Sequence, residues 1–240
     1  SLGGRITKEA KLPGLAEWAR LRDWRLTQID KLSAVEVFPQ SPMTAESVFD
    51  LGVSRVLIAT GAKWAKDAVG RHSDVGFAHS DPQMIISGDR ILDGAPIAAS
   101  KIVIYDDDHY YFGSVCALEL RNRGHEVVLV TPAGRVCGWG AYTDEQEAST
   151  HALLKAGVEI ITNKTIDTVA SGRAELSCVF SNTPSTITCD AVVPLTRKIP
   201  VTDLYDNLIS DEIGCADAGL NSVARIGDAE APSIIASAIH

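Results

Sequence analysis

The chain has 240 residues, 45% hydrophobic and 22% charged, a globular composition long enough for one large domain or two ordinary ones. Its formal net charge of -9 argues against nucleic acid or an anionic membrane surface as the partner. No apolar run approaches the roughly 20 residues that span a bilayer, and Ser1-Leu2-Gly3-Gly4 leads into polar sequence without a secretory leader.

The five cysteines, Cys116, Cys137, Cys178, Cys189 and Cys215, are scattered and odd in number, with no C-x-x-C pair. They read as reduced thiols of a cytoplasmic protein, without zinc or iron–sulfur spacing. A chain that opens on Gly3-Gly4-Arg5, with neither an initiator Met nor a strand before it, is expected to be a piece of something longer.

In chain order, residues 3–11 read as a polar turn, and Pro13 as the start of a helix to about Leu32. Leu15, Trp18, Ala19, Leu26 and Ile29 fall on one stripe of that helix, with Arg22 inside it and Trp24 on the opposite, polar face. Residues 34–38 alternate as a short strand, and Thr44 opens a short amphipathic helix to Leu51. Arg55 to Ala59 is an apolar strand that stops at Thr60-Gly61-Ala62. From Lys63 to Ala99 six Gly and Pro breakers mark a loop-rich crossover with a short helix near Asp89 to Leu92.

Lys101 then opens a short run of Ile and Val that stops at an abrupt polar turn, followed by a helical pattern over 114–123 ending at Gly124 and a second apolar run over 126–130. This order within about thirty residues is the opening of a dinucleotide-binding unit. The turn itself is wrong for a dinucleotide. A pyrophosphate needs glycines and free N–H groups at the helix start, but these positions hold Asp106, Asp107, Asp108, His109, Tyr110 and Tyr111. Three carboxylates would repel the phosphates and two tyrosines would fill their space. At the end of the second strand, where readers of NAD place an acid for the ribose, stands Thr131.

Thr143 to Gln146 reads as a capping box for a helix ending at Gly157. Strands are expected at 158–162, 165–170, 174–180 and 185–189, broken by Ser171-Gly172 and Asn182-Thr183-Pro184 and read as a small antiparallel meander, and another at 190–195. A final strand over 223–226 leads to Gly227-Asp228-Ala229, Pro232 and a helix of small apolar residues to His240.

VLIATGA (56–62) and ARIGDAEAP (224–232) resemble the two later nucleotide-contacting motifs of flavoproteins with two dinucleotide domains. The stretches at 2–28, 43–48 and 104–113 narrow the resemblance to the C-terminal third of the iron–sulfur flavoprotein amine dehydrogenases, the trimethylamine, dimethylamine and histamine dehydrogenase group akin to dienoyl-CoA reductase. The resemblance covers essentially the whole chain. It implies a preceding barrel with FMN and a 4Fe-4S cluster that oxidises the amine, a FAD-like domain that holds ADP, and electron exit to an electron-transferring flavoprotein instead of NAD. It also implies a homodimer at full length. The first strand and glycine turn of the FAD-like domain have no counterpart, so this piece is expected to be inactive alone.

The expected fold is therefore α/β with two Rossmann-like subdomains: a discontinuous FAD/ADP-binding one over 1–97 with 198–240, and an inserted NAD-like one over 98–197. Cofactor-binding residues implied by the resemblance are Gly3, Gly4, Arg5, Thr60, Gly61, Gly227, Asp228 and Ala229. Thr60-Gly61 reads either as a close approach for the nucleotide or as a plain strand-ending turn. Asp228 reads either as a ribose acceptor beside a phosphate-favouring helix start or as an N-cap. Gly3-Gly4-Arg5 would lie along the pyrophosphate, or is a free terminus.

Successive residues of Asp106-Asp107-Asp108-His109 alternate sides on an extended chain, so no metal site and a turn filled by Tyr110 and Tyr111 are expected there. His72, His79, His125 and His151 show no partner pattern, and no catalytic constellation is expected. Trp24 reads as a docking point for the redox partner or as a contact with the barrel or a neighbouring domain. Two rival functions remain open from the sequence: an enoate or dienoyl-CoA type reductase using NAD(P)H, and a non-catalytic nucleotide-binding interaction module.

Overall fold

The structure, a computed structural model, describes residues 2–77 and 80–234. In order they form α1 (Gly4–Glu9), α2 (Ala19–Ile29), α3 (Ala45–Asp50), β1 (Arg55–Ile58), β2 (Ala62–Trp64), α4 (Gly88–Leu92), β3 (Lys101–Asp106), α5 (Tyr111–Asn122) and β4 (Glu126–Val130). There follow α6 (Glu145–Lys155), β5 (Glu159–Ile161), β6 (Lys164–Ala170), β7 (Arg173–Cys178), β8 (Pro184–Thr188), β9 (Ala191–Leu195), β10 (Lys198–Pro200), α7 (Asp203–Ser210), α8 (Glu212–Asp217) and β11 (Ser222–Arg225). No helix among the described residues is long and apolar enough to cross a membrane.

The chain divides into two compact units: residues 1–7, 18–63 and 198–240, and residues 8–17 with 64–197. Residues 8–17 and 64–97, assigned from the sequence to the discontinuous subdomain, thus group with residues 98–197. The reason is packing. Trp64 stacks on Phe112 at 5.2 Å between ring centroids, and Ile85 bridges Val192 beyond the edge of the parallel sheet.

That sheet has the order β5-β4-β3-β9, every pair parallel. Its strands are continuous apolar runs because both faces are covered. Val103, Tyr105, Val128, Val130 and Val192 face one cluster, shared with Ile166, Val169, Ala174 and Leu176 of the β6-β7-β8 meander. The alternate residues Ile102, Ile104, Val127 and Leu129 are equally buried, and α5 packs on β3 and β4. Fully burying side chains of this size contributes about 1.5–3 kcal/mol each.

In the other unit β1 and β11 pair in parallel, Ile58 opposite Arg225. Val48 of α3, Ile58 and Leu208 of α7 make its core, with Phe49, Leu204, Tyr205 and Val223 packed around them. Thr44 caps α3 as expected, its hydroxyl accepting from the Ser47 N–H.

Several local expectations are corrected. Residues 4–9 are helical, and the helix expected from Pro13 starts only at Ala19, after a chain of turns through Gly14 at φ 80° and a 3-10 turn over 16–18. Residues 34–38 alternate in polarity but are not a strand. Val35, Val37 and Phe38 are exposed, and Val35 N–H closes a turn on Leu32 C=O. Thr143 does not cap α6; that place falls to Asp144 at φ 59°, and the Thr143 hydroxyl donates instead to Glu145. Two helices, α7 and α8, occupy a stretch for which no element was expected. The final helix expected to His240 lies mostly outside the described residues.

Candidate functional site

The first candidate site lies at the carboxyl ends of β1 and β11. Adjacent parallel strands that stop together leave a crevice beyond their ends, the usual ligand position in open α/β sheets. Here Thr60-Gly61 follows β1 and Gly227-Asp228-Ala229 follows β11, so the structure brings five of the eight expected nucleotide residues to neighbouring strand ends. Gly61 and Gly227 take φ 79° and 59°, which a side chain would strain. A Cβ on Gly61 would meet no atom within 4 Å, so the space over it is open. The Thr60 hydroxyl donates to Val201 C=O, and Gly61 C=O accepts from Val201 N–H. Thr60 therefore offers a ligand only its lone pairs.

Asp228 is not an N-cap: it sits inside a 3-10 turn over Gly227–Ala229. Its carboxylate accepts from the Ser233 N–H and from Lys198 Nζ, each at 3.2 Å, and Lys198 also donates to Ser233 C=O. Lys198, its side chain mostly buried, places a cation beside the expected phosphate position. Sequence reading missed it, since one lysine between two strand patterns carries no distinguishing signal. Gly3 has φ 90°, and a Cβ there would strike the Arg22 side chain. Gly4 and Arg5 begin the six-residue α1. Trp24 is 62% exposed on α2, with the Arg25 guanidinium 5.9 Å from its ring centroid.

The second candidate site is the turn between β3 and α5. Asp107 is completely buried. Its Oδ2 accepts from the His72 backbone N–H at 2.9 Å, while Oδ1 faces His72 Nδ1 at 2.7 Å and His109 Nε2 at 3.0 Å. Burial alone would raise this carboxyl, but the bonds from His109 and His72 outweigh it and hold the group below its ordinary range. Asp106 is also fully buried, and its Oδ1 accepts from the N–H groups of Asp108 and His109. Burial, then the nearby Asp108 charge, pushes its carboxyl well up.

The turn N–H groups of Asp107, Asp108 and His109 are therefore taken up within the chain, the last two by the Asp106 carboxylate and the first two by Leu195 C=O. The bare α-carbon at the helix start is covered as well, Gly113 by the Asp106 carboxylate, and that of Gly70 in the preceding loop is covered by the Asp107 carboxylate. The expected filling by tyrosines is corrected in detail. Tyr110 turns to stack on Trp139, and Tyr111 donates to Glu9; the carboxylates occupy the turn instead. Thr131, also fully buried, uses its hydroxyl to accept from Ala133 N–H.

His72 was expected to have no partner, and its approach to Asp107 across 35 residues is a loop contact with no local signal. His79 lies outside the described residues.

No protein-family model matches the chain. Dimethylamine dehydrogenase of Hyphomicrobium sp. (strain x) is 30% identical over 264 residues, covering 98% of this chain and 35% of that protein. The structure of histamine dehydrogenase from Rhizobium sp. 4-9 superposes with a TM-score of 0.94 at 38% identity, over 99% of this chain and 37% of that one. The 6-hydroxypseudooxynicotine amine oxidase of Pseudomonas geniculata N1 superposes with a TM-score of 0.92 at 32% identity, over 98% of this chain and 35% of that one. The chain thus spans about a third of the length of each of these relatives.

Proposed function

We propose that this chain, homologous to the C-terminal portion of the amine dehydrogenase family, is the nucleotide-holding and electron-exit part of an enzyme that oxidises an amine. In this reading both units are Rossmann-type. The unit containing β1 and β11 holds an adenine nucleotide, ADP or FAD, for structural support. Thr60, Gly61, Gly227, Asp228 and Ala229 line it, Gly3, Gly4 and Arg5 lie along the phosphates, and Lys198 adds charge. The remaining two thirds of the protein would carry FMN and a 4Fe-4S cluster, which supply the redox chemistry.

The observation that carries the proposal is the pairing of two glycine turns at neighbouring parallel strand ends in one unit, set against a phosphate turn closed by its own carboxylates in the other. A pyrophosphate brought to Asp106 and Asp107 would meet two buried carboxylates and no free turn N–H at residues 108 and 109. That favours electron exit to a protein, an electron-transferring flavoprotein, over exchange with NAD(P)H. Exposed Trp24, backed by Arg25, is the docking point assigned to it. The full-length enzyme is assigned as a homodimer.

The nucleotide assignment is tested by denaturing the full-length protein and chromatographing what it releases. One equivalent of ADP or FAD beyond the FMN supports it. Release of no adenine nucleotide contradicts it.

A further inference from the structure

We propose that His72, Asp107 and His109 form a binding site for one divalent transition-metal cation of zinc type. The three side chains each offer one donor atom, and these atoms all lie within 4.8 Å of one another. Two imidazole nitrogens with one carboxylate oxygen is a donor set that suits zinc and its neighbours, leaving a further position for water. The rings of His72 and His109 stand nearly perpendicular, 87° apart with centroids at 5.5 Å, and both turn a nitrogen to the same Asp107 oxygen.

Alternation along an extended chain would send Asp107 and His109 to the same side but too far apart to share an ion. The backbone resolves this. His109 adopts φ 66°, which folds its ring back onto Asp107. Only a special loop does this, and an imidazole held in the left-handed region is a strained arrangement that the surroundings must enforce.

Charge supplies a second argument. Asp107 is fully buried, and its ion-pair partners among the described residues are the two imidazoles. A buried carboxylate requires compensation, which a dication held between it and the two imidazoles would supply once the three donors spread to coordination distance. Asp106 Oδ2 and His109 Nδ1 are buried without a hydrogen-bond partner, as is Thr196 Oγ1; the Thr196 side chain and the Asp107 carboxylate both crowd Gly70. The His72 side chain is 40% exposed, so a cation can enter from its side. The ion would tie the loop at residues 70–73 to the turn.

The test uses the full-length protein, dialysed against a chelator, then against zinc sulfate, and freed of loose metal. Zinc per chain is counted by mass spectrometry for the wild type, His72→Ala and His109→Gln, and affinity is read by competition with a chromophoric chelator. Wild type is expected to hold one more zinc ion per chain than either variant, with affinity at least about 10–100-fold above that of His72→Ala. His72 is partly exposed, so its alanine variant is expected to keep the wild-type circular dichroism. Equal zinc content in wild type and both variants would overturn the proposal, as would zinc binding lost in neither.

Discussion

The carboxylate of Asp106 lies against the bare α-carbon of Gly113, in the first turn of α5. An added Cβ would stand 2.6 Å from the Asp106 Cγ and 3.0 Å from its Cβ. In a dinucleotide domain that space admits a phosphate; here a side chain of the same chain fills it. Gly113→Ala should therefore force Asp106 or the helix start to shift, at a cost of about 1–3 kcal/mol. The cost appears as a lower urea midpoint with an unchanged slope.

Removing the carboxylate from the second buried acid has a different signature. Asp107→Ala leaves the His72 N–H and the two imidazoles without their shared acceptor. Each unmade bond to a charged group costs about 1.5–3 kcal/mol. The variant should be markedly less stable than Asp107→Asn, which keeps an acceptor oxygen; thermal melts of the two compare them directly.

Cys178 stands apart from the other thiols. A hydrogen bond from Ser181, aided by the Phe180 and Ser181 backbone, lowers its pKa to about 7. Burial instead raises Cys189 to about 11 and pushes Cys137 up. The thiolate is the reactive form, so among these three iodoacetamide should label Cys178 first, its rate rising with a midpoint near pH 7. Ser181→Ala should move that midpoint upward, which peptide mapping across a pH series reads.

Asp190 sets an acid limit on the parallel sheet. Its Oδ2 accepts the N–H groups of Ser100 and Lys101 at 2.7 and 2.9 Å, where β3 begins, and those bonds lower its pKa. A carboxyl depressed in the folded state contributes stability at pH values above its ordinary value. That contribution is lost as pH falls through the folded value. Asp190→Ala should be less stable than wild type at neutral pH and lose less on acidification, so the two acid titration curves converge.

At the strand-end site, Lys198→Met removes the cation beside Asp228. If Lys198 holds phosphate as assigned, the retained adenine nucleotide should fall about tenfold, the worth of one charge-assisted bond. Chromatography of the denatured variant against wild type measures it.

Much of this was legible in the sequence where local pattern decides. The unit from β3 to β4 announces itself because its apolar runs are continuous, its helical pattern stops at Gly124 and its second run stops at Thr131-Pro132. The β6-β7-β8 meander is marked by Ser171-Gly172 and Asn182-Thr183-Pro184 at its turns. Residues 34–38 misled because alternation describes a strand only when a partner strand exists. The helix α7 escaped because its apolar face is just Leu204, Tyr205 and Leu208, too short a stripe for periodicity. The exclusion of phosphate from the turn was readable from three aspartates, but not its means: carboxylates folded back onto Gly70 and Gly113. His72 was beyond reach, because its meeting with Asp107 depends on how a long loop closes.

The most direct measurement follows flavin absorbance of the full-length protein under anaerobic conditions, adding NADH in one experiment and methylated amines or histamine in another. Bleaching by an amine with no response to NADH is the predicted result. Rapid bleaching by NADH would mean that Asp106 and Asp107 do not close the turn to the cofactor, and would contradict the account.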